Sequence, residues 1–159
     1  MKILVLGLGN ILLQDEGVGV RVIERLQTDY IFPDDVLVLD GGTLGLDLLA
    51  YIEDYSRIVI VDAVKAGKEP GTLVRLVNAE IPAFLGPKVS PHQVGLQDLL
   101  ALAKLRGHFP DEVILWGVQA DIFEPGLELN SPIAAQVEPL CAHVLEELAR
   151  WGISVERKG

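Results

Sequence analysis

The segment from Ile3 to Gly19, ILVLGLGNILLQDEGVG, constrains the fold more than any other part of the chain. Ile3 to Leu6 is a short apolar run closed by glycine, the pattern of a strand buried on both faces. Gly7, Gly9 and Asn10 follow, then a second apolar patch and the acidic pair Asp15 and Glu16. Val18, Val22, Ile23 and Leu26 recur on one helical face. The order is therefore buried strand, glycine turn, carboxylate-bearing loop, helix. In an open parallel sheet, ligands bind just beyond the carboxyl ends of the strands, and Asn10, Asp15 and Glu16 fall there.

A nucleotide loop is the obvious reading of these glycines, and it fails in detail. The dinucleotide fingerprint needs a third glycine where Leu12 stands, and the phosphate loop needs a terminal Gly-Lys-Ser/Thr that is missing. A tight turn that needs conformational freedom is the plainer explanation.

The remaining elements repeat the theme. A helix ending near Thr28 or Asp29 leads through Pro33 to a strand at Val36 to Leu39, ending at Asp40 before Gly41-Gly42-Thr43. An apolar helix spans Leu44 to Ile52. Arg57 to Val61 is the clearest strand and ends at Asp62. Thr72 to Val77 follows after too few residues for a parallel crossover, so this pair is expected to be antiparallel. Ile81 to Pro91, with three prolines and a glycine, reads as a long loop delivering Ser90-Pro91-His92-Gln93 to a helix at about Leu96 to Leu105. Glu112 to Val118 is the last strand, running into Gln119. Ser131 is the expected N-cap of a closing helix with Pro132 at its first position, which Pro139 should kink or split. Gly152 closes it before a polar tail. Alternating strands and helices predict a three-layer α/β/α sandwich on a five-stranded, mostly parallel sheet with one antiparallel strand.

A length of 159 residues suits one domain, 1–159, and a hydrophobic fraction of 50% argues against disorder. A formal charge of -10 opposes a nucleic-acid partner held through phosphates. Cys141 is the only cysteine, which removes intrachain disulfides and cysteine-based zinc clusters. No signal peptide or membrane-spanning run is recognisable, so a cytoplasmic protein is expected.

Glu16, Asp62 and His92 fall at corresponding ends of elements, and a parallel sheet can gather them over one edge. Two carboxylates and an imidazole suit a borderline divalent ion such as nickel, zinc, iron or cobalt, with positions left open for water or substrate. Plainer roles stay open for each: turn former for Asp62, dipole-opposing charge for Glu16, helix-capping residue for His92. Asp40 reads as a turn and cap, with a lesser part as a catalytic carboxylate. His108 has no partner pattern, His143 reads as a surface or satisfied histidine, and Cys141 as a packed thiol. No H-E-x-x-H or G-x-S-x-G motif occurs.

The segments Gly7 to Val22, Leu39 to Thr43, Val61 to Ala63 and Ser90 to Gly95, with the Ile-Pro-Ala-Phe and Trp-Gly-Val-Gln stretches, together resemble the nickel–iron hydrogenase maturation endopeptidases. The likeness runs in order over nearly the whole chain. It implies a phosphorylase/hydrolase-like fold and a metal-dependent, aspartic-type endopeptidase. Such an enzyme removes the C-terminal extension of the hydrogenase large-subunit precursor once nickel is inserted. It further implies that Glu16, Asp62 and His92 bind the metal, that the nickel is carried by the substrate, and that Asp40 is an acidic position near the cleft. Gln14 stands where a small residue is expected. Two rivals follow. Peptidyl-tRNA hydrolases also open on Gly-Leu-Gly-Asn, but continue with Pro-Gly where this chain has Ile11-Leu12. A non-catalytic nickel chaperone on the same fold would bind nickel without cleaving.

Overall fold

The computed structural model describes residues 1–9, 17–42, 45–85, 95–120 and 129–159. The element order is β1 (Ile3–Leu8), α1 (Val18–Asp29), β2 (Tyr30–Ile31), β3 (Val36–Gly42), a 3₁₀ turn (Gly45–Asp47) and α2 (Leu48–Asp54). Then come β4 (Arg57–Val64), β5 (Leu73–Val77), α3 (Glu80–Leu85), α4 (Leu96–Leu105), β6 (Glu112–Gln119), α5 (Ser131–Ala134), α6 (Val137–Arg150) and β7 (Glu156–Arg157).

One five-stranded sheet has the order β3-β1-β4-β6-β5. β1 pairs parallel with β3 and β4, and β4 parallel with β6, whereas β5 is antiparallel to β6. Ile3, Leu4, Val5 and Leu6 are completely buried because helices cover both faces. Strand alternation divides them between two cores. Ile3, Val5, Val59, Val61, Ile114 and Val118 pack with α1 and α6. Leu4, Leu6, Ile58, Ile60, Val113 and Leu115 pack with α2, α3 and α4. The three-layer sandwich and its antiparallel strand are as the sequence predicts.

Three local expectations are corrected. The stretch from Ile81 is not a loop throughout, because α3 occupies Glu80–Leu85. Pro82 stands in its first turn, where a missing N–H costs no helical bond, and the Glu80 carboxylate accepts from the Val77 amide at 2.8 Å. The N-cap of α5 is Asn130 rather than Ser131, with Pro132 in the first turn. The polar tail is also not simply loose: β7 pairs antiparallel with β2. The Lys158 amide and ammonium donate to the Asp29 and Gln27 carbonyls at 2.8 and 3.0 Å. The helix containing Pro139 is split into α5 and α6 as expected, with the proline in the first turn of α6.

The far end of α6 is fixed to the sheet by charge. Glu147, only 5% exposed, accepts from Arg75 Nε at 2.7 Å, Trp116 Nε1 at 2.9 Å and Arg150 Nε at 3.1 Å. Arg150 also pairs with Glu112, which accepts from Trp151 Nε1 at 3.0 Å. Burial pushes the Glu147 carboxyl up, but its three donors together hold it below the usual range.

Candidate functional site

The carboxyl edge of the parallel strands is built around one close approach. Gly7 lies within β1, not in a turn, which corrects the reading of that glycine as a source of turn freedom. A Cβ at Gly7 would overlap the Gly19 carbonyl and the Ile23 side chain; one at Gly19 would overlap the carbonyls of Val61 and Leu8. The two glycines therefore let the first turn of α1 rest directly on the ends of β1 and β4. Gly9, by contrast, has a φ of 114° and does require glycine. Its amide donates to the Gly42 carbonyl at 3.3 Å, tying β1 to β3 at this edge.

Asp62 follows Val61 directly, in register with Gly117 of β6. Alternation sets it on the side of Ile58 and Ile60, toward α2, α3 and α4. It is half-buried, and its Oδ1 accepts from the Ala63 amide at 2.8 Å. Just beyond it, Gln119 braces the β4–β5 connection: its Oε1 accepts from the Ala66 and Lys68 amides at 2.6 and 3.3 Å, and its Nε2 donates to the Ala120 carbonyl at 2.9 Å. Sequence reasoning missed this role. The only available signal was a polar residue ending an otherwise apolar strand.

Glu16 and His92 lie outside the described residues, as do Gln14 and Thr43. Their described neighbours are informative. Gly17 is the N-cap of α1, at the edge just described. Gly95 is the N-cap of α4, its amide donating to Asp98 Oδ2 at 2.9 Å. Because α4 feeds the parallel strand β6, it must start at the carboxyl edge. Asp40 is exposed on the edge strand β3, in register with Gly7, which is itself in register with Val61. Asp40 thus sits two strands from β4, about 10 Å away by strand spacing, and on the α1 side of the sheet while Asp62 is on the other. Among the described residues no group of three His, Cys, Asp or Glu side chains is placed to hold a metal ion.

The other candidates behave as packing groups. Cys141 is buried, its Sγ 3.8 Å from the Val22 carbonyl, and burial pushes its thiol up to about 11. His143 stacks on Trp116 with ring centroids 4.1 Å apart and approaches Glu146 Oε2 at 3.2 Å. His108 is exposed.

The family model for hydrogenase maturation proteases matches residues 20–147. The chain belongs to the hydrogenase maturation protease family. It is 44% identical over 154 residues to the hydrogenase 2 maturation protease of Escherichia coli strain K12, covering 96% of this chain and 94% of that protein. The fold matches the hydrogenase maturating endopeptidase HybD from E. coli with a TM-score of 0.93 at 42% identity, over 99% of this chain and 98% of that one. It matches the [NiFe] hydrogenase maturation protease HycI from Thermococcus kodakarensis KOD1 at a TM-score of 0.75 and 28% identity, over 93% and 92% of the two chains. No helix among the described residues is long and apolar enough to cross a membrane.

Proposed function

We propose that this maturation protease removes the C-terminal extension of a nickel–iron hydrogenase large-subunit precursor after nickel insertion, and that Glu16, Asp62 and His92 read the nickel carried by that substrate. The observation that carries the reading is the position of Asp62. It stands beside the point where the first turn of α1 meets the sheet, and on the side from which α4 starts. Glu16 immediately precedes the N-cap of α1, and His92 lies three residues before the N-cap of α4.

Two carboxylates and one imidazole form an oxygen and nitrogen set that leaves coordination positions open. A nickel ion already held by the precursor would complete its shell with these three groups, so recognition would report that insertion has taken place. The enzyme's own ligands, without a thiolate, should bind added metal only moderately. Asp62 accepts from its neighbour's amide, which helps orient a carboxylate that must meet a metal arriving with the substrate. Asp40, on the opposite side of the sheet, is better suited to contacting the precursor near the cleft than to sharing a metal with Asp62. The acidic charge of the chain fits a protein partner in the cytoplasm rather than a nucleic acid.

The test is incubation of the purified protein with nickel-loaded and nickel-free precursor, read by mass spectrometry. Cleavage of the nickel-loaded form alone is expected. Equal cleavage of both forms would overturn metal-gated recognition, and nickel binding without cleavage would establish the chaperone reading instead.

A further inference from the structure

β4 is paired on both sides only as far as Val61. Its ladder with β1 ends at Gly7 opposite Val61, whereas its ladder with β6 runs on through Asp62 opposite Gly117 to Val64 opposite Gln119. Among the described strands, β6 alone therefore pairs with the strand end that carries Asp62. Gly117 has no side chain, and Val64 fills that space: a Cβ on Gly117 would lie 2.8 Å from Val64 Cγ1.

Gln119 closes this end. Its register with Val64 puts it on the side of the sheet that carries Asp62, and it is only 9% exposed. Its side chain accepts from the Ala66 and Lys68 amides. Its backbone amide donates to the Thr72 carbonyl at 2.8 Å, and its carbonyl accepts from the Gly71 amide at 2.9 Å. One residue thus holds both ends of the β4–β5 connection. That connection is exposed from Gly67 to Pro70, where water is an alternative partner. A neutral hydrogen bond that replaces one to water adds little net stability, and burying a primary amide is costly unless it is bonded. The side chain therefore contributes more to geometry than to stability. It fixes the path of the chain from Ala66, four residues beyond Asp62.

We propose that Gln119 is a positioning residue for precursor recognition: by bracing the β4–β5 connection it fixes the strand end on which Asp62 meets the precursor's nickel. The inference rests on the reading above in which Asp62 contacts that metal. Metal–ligand distances hold to about ±0.2 Å, a tighter tolerance than side-chain contacts across a protein interface require. Loosening this strand end therefore weakens the nickel contact more than the rest of the interface. Gln119 acts through Asp62 and does not itself touch the metal.

The experiment is a double-mutant cycle on binding, read by calorimetry with nickel-loaded and nickel-free precursor altered at the scissile bond to resist cleavage. Gln119→Met keeps an unbranched side chain and removes its hydrogen bonds to the connection. It should weaken binding of the nickel-loaded form about tenfold, as loss of a group that orients a metal ligand does, and change binding of the nickel-free form less than twofold. In an Asp62→Ala background the same substitution should change binding of the nickel-loaded form less than twofold. Gln119→Glu, which restores an acceptor for the two amides, should recover part of the loss. Amide exchange at Ala66 and Lys68 should quicken in Gln119→Met while the β1 amides keep their protection, the sign of a released brace in a folded protein. Equal weakening of both precursor forms, a tenfold loss that persists without Asp62, unchanged exchange at Ala66 and Lys68, or unchanged binding despite faster exchange would overturn the positioning role. Wild-type protein that binds both precursor forms equally would instead overturn the metal reading on which it rests.

Discussion

Carboxylates are used in opposite ways at two places in this molecule. Under the end of α6, Glu147 is nearly buried and accepts from two arginines and a tryptophan, while Glu112 beside it is taken by Arg150 and Trp151. At the carboxyl edge of the sheet, Asp62 is half-buried on a backbone amide and Asp40 stands exposed on an edge strand. The first arrangement engages both oxygens of each carboxylate inside the protein and holds an element in place. The second leaves carboxylates half-buried or exposed at the edge where the substrate site is proposed. Burial and partner chemistry, rather than residue type, separate the structural carboxylates from those proposed as functional.

The sharpest break between the two regions is Asp62→Ala. Precursor cleavage should fall at least a hundredfold while the thermal midpoint stays nearly constant, because the side chain contributes little to either core. The same outcome is expected for Glu16→Ala and His92→Ala. A large drop in midpoint with Asp62→Ala would make that residue structural.

Glu147→Ala should do the reverse. It removes the acceptor of Trp116 Nε1 and of Arg75, while Arg150 keeps Glu112. With Arg75 and Arg150 39% and 44% exposed, the loss should be about 1–3 kcal/mol, chiefly from the unpaired donors. Denaturant unfolding should show that loss, while cleavage below the transition should match wild type. Gly19→Ala connects the regions. Its Cβ would strike the Val61 and Leu8 carbonyls, so overpacking should cost about 1–3 kcal/mol. It should also lower cleavage, since α1 cannot be lifted from the sheet without moving the edge beside Asp62.

Acid should weaken the α6 clamp. Arg150, against the opposing effect of burial, holds the Glu112 carboxyl below its ordinary value of 4.5, and Glu147 is also lowered from 4.5. A carboxyl depressed in the folded state binds protons more readily when unfolded. Its stabilisation is therefore complete above about pH 4.5 and is lost as pH falls through the folded value. Unfolding midpoints from pH 6 down to pH 3 should fall less steeply in Glu147→Ala than in wild type. The smallest effect is expected of Cys141→Ser. Its buried thiol, pushed up to about 11, is not a nucleophile at neutral pH, so activity should stay within twofold; loss of cleavage would point to a cysteine mechanism.

The strands of the main sheet could be read directly because each buried run is short, apolar and bounded by turn residues, as in Ile3 to Leu6 and Arg57 to Val61. The antiparallel strand followed from the length of its connection. Glu16, Asp62 and His92 could be named as candidates because elements of a parallel sheet end on one edge. The rest depended on contacts between residues far apart in the chain. Gly7 looked like a turn former, and only α1 lying across it shows that the missing Cβ makes room for Gly19. Glu147 sits on an ordinary helical pattern, and nothing local marks it as the acceptor for Arg75, 72 residues away. The pairing of β2 with β7 joins two pieces too short to signal a strand alone. Local pattern determines which residues form elements and which face is apolar, because periodicity and turn chemistry act over a few residues. Which glycine is a contact and which carboxylate is buried under three donors was decided by the tertiary structure, because close approach and burial exist only once distant segments have packed.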